Sequence, residues 1–346
     1  MKTKSLKLKI IILIILIFAL VTGCAQAGSK ASVVPTAAPT SAPTATTAPA
    51  PTASPVPTSV TFPIPTRYQW DNANGYCGET SIQSIALYYG AWIPQQKARN
   101  AAGGELLVDE NAATALKKLK LDFEEWDYEA PEPQFKKYML WLKSNLVAGY
   151  PCITVVFLAD SDLYSEDYDH IVPVVGVKSK SLYSTKYMAG DSLIFHTLYD
   201  PDPIVRKFST LASTRDDCDL ELSAGGNIPQ NTDYGIAIKG LQGDRDATLP
   251  TRLSVNRSNE PNVSLGEKAK NLKGTITVSA LTPGAKYALL RYDDVAKMPT
   301  SGGSAVYLAS DYDYKTEFIA SGSVWEFKDP VGILSSGVTY YRCVRL

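Results

Sequence analysis

Cys77 heads a stretch in which Ile82, Ile85, Ala86 and Tyr89 recur at helical spacing and Gly90 marks a stop. A thiol in the first turn of a helix meets the positive end of the macrodipole and backbone N–H groups with no partner inside the helix. Both favour the thiolate, which is the nucleophile. Such a thiol needs a base, and the chain holds two histidines, His170 and His196. His170 opens the apolar run 170–177, expected to be a buried strand, and a second strand signal, 192–199, closes at Asp200-Pro201. Folded as an antiparallel hairpin, the two runs bring His170 beside Asp200, whose carboxylate would fix the imidazole's tautomer and orientation. His196 lies four residues back from Asp200, about 13 Å along a strand, and is set aside. Asp191 and Asp202 are the alternative carboxylates.

These residues carry a resemblance. The order Gln69, then Cys77-Gly78 on a helix, then His170-Ile171-Val172-Pro173-Val174-Val175-Gly176, then Tyr199-Asp200-Pro201, resembles a papain-like cysteine peptidase. It is most similar to the bacteriocin-processing (double-glycine leader) peptidases and their stand-alone relatives, over residues 67–240. The resemblance implies Cys77 as nucleophile, His170 as base, Asp200 as orienting residue and Gln69 as an oxyanion-hole donor beside the Cys77 N–H. The chain departs from the family pattern at two points. Glu79 follows Cys77-Gly78 where proline is usual, and the interval from Gln69 to Cys77 is about two residues longer, so Asn72 and Asn74 are alternative donors. Neither a cofactor nor a metal is expected.

The N-terminus addresses location. Lys2, Lys4, Lys7 and Lys9 precede an apolar run, 10–21, in the layout of a secretory signal. The run is shorter than the ~20 residues a membrane span needs. Its end, Leu20-Val21-Thr22-Gly23-Cys24, resembles a bacterial lipobox. That implies cleavage after residue 23, lipidation of Cys24 and display on the outer face of the membrane. From 24 to 66 the chain is dominated by Ala, Pro, Thr, Ser and Val, a composition that predicts a disordered linker reaching on the order of 100 Å.

The remaining residues divide by pattern. Helices are expected at 110–119 and 134–146, and strands at 152–158 and 233–238, so helices precede strands as in an α+β peptidase domain spanning 67–245. From 246 to 346 short strand signals at 275–278, 286–292, 304–309, 324–327 and 338–344 predict a small β-sandwich-like domain. Within it, Leu281-Thr282-Pro283-Gly284-Ala285 reads as a type II turn. The stretch also resembles part of a fibronectin type III-like domain.

A net charge of -1 and the lack of a basic patch argue against nucleic acid. Asp160, Asp162, Glu166, Asp167 and Asp169 crowd the loop before His170 without the glycine of a calcium loop. They read as a solvated loop that favours imidazolium and basic substrates. Cys152 is expected to be inert in its strand, and Cys218 and Cys343 to be a candidate pair. The expected activity is that of a surface-anchored thiol hydrolase of peptide or isopeptide bonds, acting on peptide or protein and reaching toward the cell wall. A non-catalytic papain-like binding module and an acyl transferase with the same site are the alternatives.

Overall fold

The computed structural model describes residues 57–70, 75–157, 170–212 and 226–346, with no side-chain description at 245, 246 and 259. The signal run, Cys24, most of the linker, Asn72, Asn74, the acidic loop and Cys218 lie outside these residues. The architecture is mixed α+β, and every strand ladder among the described residues is antiparallel.

The chain enters the fold earlier than its composition suggests. Residues 57–66 belong to the folded body and not to the linker. Strand β1 (Ser59–Thr61) pairs with the end of β5 (His170–Lys178), and Phe62 and Ile64 are buried. Val60, Phe62 and Ile64 alternate at strand spacing inside a proline-rich stretch, so hydrophobic burial overrides composition. Gly176 makes the pairing possible. A Cβ there would lie 2.5 Å from the Val60 carbonyl oxygen.

The helical half follows: α1 (Cys77–Tyr88), β2 (Ala91–Trp92), α2 (Gln95–Ala102), α3 (Ala112–Lys118), β3 (Leu121–Glu125) and α4 (Phe135–Val147). The main sheet adds β4 (Cys152–Val156), β6 (Ser192–Phe195), β7 (Ile204–Lys207), the short helix α5 (Phe208–Leu211) and β8 (Gly235–Leu241). Its strand order is β3-β8-β4-β5-β6-β7, with β1 also on β5. The expected β5–β6 hairpin is present, with Val174 opposite Phe195 and Lys178 opposite Ser192.

After α6 (Asp244–Ala247) come β9 (Thr251–Val255), β10 (Asn271–Leu272), β11 (Gly274–Ser279), β12 (Lys286–Tyr292), α7 (Ser304–Leu308), β13 (Tyr314–Ile319), β14 (Val324–Lys328), β15 (Ile333–Leu334) and β16 (Thr339–Arg345). The strand expected at 304–309 is the helix α7. Ala305, Tyr307 and Ala309 alternate, but over five residues one buried Tyr307 satisfies either period. The Pro283-Gly284 turn forms as expected, with Gly284 at φ +81° and the Ala285 N–H donating to the Thr282 carbonyl at 3.1 Å.

Residues on either side of position 246 share their packing. The described residues fall in one unit, and β2 is the fourth strand of the sheet β13-β12-β16-β2. Leu87 of α1 and Trp92 of β2 are buried with Leu253, Ile276, Leu289 and Tyr341 in a second core. Arg67 spans the junction. It is fully buried, donates to Gln83 Oε1 and the Val255 carbonyl, pairs with Glu260 and lies over the Trp92 ring. α1 is therefore gripped on two sides.

Candidate active site

Cys77 is the first residue of α1 and is half-buried. The first turn of the helix lies directly against the start of β5. Ser81 Oγ bridges the two, within 2.8 Å of the Cys77 carbonyl and 3.0 Å of the Ile171 carbonyl. Gly78 allows this approach, since a Cβ there would sit 2.5 Å from Leu106 Cδ2 and 3.0 Å from Ile171 Cδ1. Cys77 and His170 thus occupy the facing ends of a helix and a strand that touch.

Glu79 has a partner. Its buried carboxylate accepts from Arg99 Nε at 2.7 Å, Arg99 Nη2 donates to the Gly75 carbonyl, and the guanidinium covers the Tyr76 ring at 3.6 Å. The pair clamps the backbone just before Cys77. Burial pushes the Glu79 carboxyl above its usual range, opposed by Arg99.

His170 is buried, and its Nε2 lies 2.9 Å from the Thr197 carbonyl. A carbonyl only accepts, so Nε2 carries the hydrogen and Nδ1 is the ring's proton acceptor. Burial pushes His170 down to about 4, against the Thr197 bond that favours the charged form. The imidazole is therefore neutral at pH 7; the acidic loop expected to favour imidazolium lies outside the described residues.

Asp200 is one step removed from the histidine. It is exposed, and its carboxylate takes a long 3.4 Å bond from Thr197 Oγ1, while the Asp200 N–H donates to that oxygen at 3.3 Å. The residue that faces His170 is Tyr199, whose ring stacks on the imidazole with centroids 5.4 Å apart at 17°. Leu198, at φ +69°, turns the chain to do this. That conformation costs a non-glycine residue on the order of 1–3 kcal/mol and recurs at functional sites. Of the substitutes, Asp191 is buried against Lys143 Nζ at 2.7 Å and Asp202 is exposed.

Gln69 belongs to the same cluster. Its N–H donates to the Leu198 carbonyl at 3.3 Å and its Nε2 to the Tyr199 hydroxyl at 2.8 Å. Gln69 and Tyr199 thus join His170, and Ser81 ties the first turn of α1, which Cys77 opens, to the neighbouring Ile171. His196 is elsewhere. Thr66 Oγ1 donates to the Pro201 carbonyl, so His196 Nδ1 donates to Thr66 Oγ1 at 2.8 Å, and burial holds this ring near 4 as well. Cys152 and Cys343 are buried free thiols; burial raises both, Cys343 to about 12. No cluster of candidate metal ligands exists among the described residues.

Thr197 and Arg99 carry no motif in the sequence, and Tyr199 entered the Tyr-Asp-Pro strand end with no role of its own. Arg99 had one available signal, an unexplained Glu79 two residues after Cys77. No family model, curated protein or solved structure matches the chain.

Proposed function

We propose that the chain is a cysteine peptidase with a papain-like arrangement, hydrolysing peptide or isopeptide bonds with Cys77 and His170. One observation carries this reading: Ser81 ties the Cys77 turn to the first residues of β5, beside His170. A helical half bearing the thiol and an antiparallel sheet bearing the histidine support it.

In the proposed reaction the Cys77 proton passes to His170 Nδ1 and the thiolate attacks the scissile carbonyl carbon. The resulting oxyanion is stabilised at the head of α1, with the Cys77 N–H and the Gln69 amide as donors. An amide nitrogen carries two hydrogens, of which Tyr199 takes one. Collapse expels the amine, which receives the proton from His170 and leaves a thioester. Water, losing a proton to His170, then releases the acid and restores the thiol. Thr197, through its carbonyl, takes the orienting role that sequence spacing gave to Asp200.

The lipobox-like Leu20–Cys24 stretch supports a lipid-anchored enzyme facing outward, acting on peptide or protein near the cell wall. The test is turnover of a peptide library by the chain and its variants. Cys77→Ala and His170→Ala are expected to abolish cleavage or lower it by about 10²–10⁴-fold, with His196→Ala near wild type. Equal losses at both histidines in folded protein would overturn the assignment.

A further inference from the structure

Two sheets share the second core, β14-β11-β9 and β13-β12-β16-β2, and β14 and β13 end them with no further strand alongside among the described residues. These two edge strands lie on the same side of the two-sheet stack, because their inward side chains touch. Phe318 stacks on Trp325 with centroids 3.7 Å apart, and Tyr314 on Phe327 at 6.3 Å. All four residues are half-buried, so the core opens to solvent between the two edges.

The register shows which backbone groups point outward. The Leu346 N–H donates to the Lys286 carbonyl, so even-numbered residues of β12 bond to β16 and odd-numbered ones to β13. Their partners on β13 are Tyr314, Thr316 and Phe318, which leaves the N–H and C=O of Lys315 and Glu317 facing away from the sheet. On the other sheet the Asp329 N–H donates to the Gly274 carbonyl, so Phe327 and Trp325 bond to β11. Glu326 and Lys328 then face outward there. An open edge of this kind is a template for another strand.

Both edges match their own reverse. Lys315, Glu317, Glu326 and Lys328 are exposed. An antiparallel copy centred on Thr316 sets each Lys315 against Glu317 of the other copy. One centred on Phe327 sets each Glu326 against Lys328. Both registers join outward-facing residues as hydrogen-bonded pairs, as the ladder requires. Opposite charges directly across from each other stabilise a sheet, whereas an edge guarded by charge presents like ones to its copy.

The two registers also agree with each other. Tyr314 meets Phe327 and Phe318 meets Trp325, so Thr316 lies level with position 326, one residue from Phe327. A single two-fold axis perpendicular to the sheets therefore serves both edges. Across it, Tyr314 of one copy lies opposite Phe318 of the other, and the open ring ladder is covered.

We propose that the chain forms a symmetric dimer in which β13 and β14 each pair antiparallel with their own counterparts in a second copy.

The test is sedimentation of the full chain in detergent, from about 1 to 100 μM. Wild type is expected to dimerise within that range. Glu317→Lys, at an exposed position, sets like charges opposite each other at two places and is expected to weaken the dimer about tenfold or more. Adding Lys315→Glu restores the complementarity and with it the dimer. A monomer at every concentration overturns the proposal. A dimer that Glu317→Lys leaves intact overturns it as well, since copies joined elsewhere or sharing a micelle would not respond. So does a folded double variant that stays monomeric. Thr316→Cys reads the register, because the two introduced thiols would have Cα atoms about 4.5 Å apart, within disulfide reach. Oxidised glutathione is expected to link them, and a dimer in which peptide mapping finds no such link overturns the proposed pairing.

Discussion

Tyr199 lies flat on His170, rings 17° from parallel, while its hydroxyl accepts a hydrogen bond from Gln69. One aromatic side chain thus connects the proposed base to the proposed oxyanion donor, and its ring helps bury the imidazole.

Removing that cover should return the base toward solution behaviour. In the native protein His170 is expected to titrate near 4 because burial penalises the imidazolium. Tyr199→Ala should move it upward, toward the ordinary 6.5 of histidine. With two histidines in the chain, their ring-proton resonances followed against pH give the answer directly. A wild-type His170 signal that already titrates near 6.5 would contradict the cause given.

Stability should depend on pH in two opposing ways. His170 and His196 have folded values near 4 against 6.5 unfolded, so the unfolded chain binds more protons between those values. Stability is full above 6.5 and is lost as pH falls toward 4, by on the order of 3 kcal/mol for the more buried ring. Asp233 behaves oppositely. Burial without a partner for either carboxylate oxygen raises it to about 8, so its contribution is present below 3.8 and lost as pH rises to 8. Asp233→Asn should therefore be more stable than wild type at pH 8 and nearly equal to it at pH 4, measured by urea unfolding at both values.

The clamp before Cys77 should be essential to the reactivity of its thiol. Arg99→Ala leaves the Glu79 carboxylate buried without its cation, at a cost of about 3–5 kcal/mol. Glu79→Gln retains a hydrogen-bond acceptor for Arg99 and should cost less. In both variants iodoacetamide should alkylate Cys77 more slowly than in wild type, Arg99→Ala most. Unchanged labelling rates in folded Arg99→Ala would show that the clamp does not position the thiol.

Among the described cysteines, labelling should be confined to Cys77. Cys152 and Cys343 are fully buried and burial raises both thiols, so neither presents thiolate at neutral pH. Peptide mapping after brief alkylation should find Cys77 modified first. Faster modification of Cys152 would remove the case for an activated Cys77.

Limited proteolysis should cut on the N-terminal side of residue 57. Cleavage near Thr66 is not expected, because Ser59–Thr61 is a sheet strand and Arg67 is fully buried. N-terminal sequencing of the stable fragment decides between the two positions.

The helix carrying Cys77 and the hairpin carrying His170 were legible because apolar periodicity and an Asp-Pro stop bound each element. The third member of the site was not. Leu198 takes a left-handed conformation that no local signal announces, and this places Tyr199 over His170 and leaves Asp200 in solvent. The start of the fold was hidden in a different way. Proline and threonine on both sides of Val60, Phe62 and Ile64 masked a short period-two pattern whose strand forms only because Gly176 leaves room for it. β2 has two residues, too few for any periodicity, and its strand character comes wholly from Tyr340 and Thr339 opposite.

That last pairing has a consequence for how the molecule is made. Trp92 leaves the ribosome some 250 residues before its partner Thr339, and the core around it closes only when β16 arrives. The helix bearing Cys77 packs on that same core through Leu87. A nascent chain should therefore hold the helix that Cys77 opens in an unfinished setting until synthesis reaches β16. Contacts of such wide sequence separation form slowly, and the delay is built into the strand order itself.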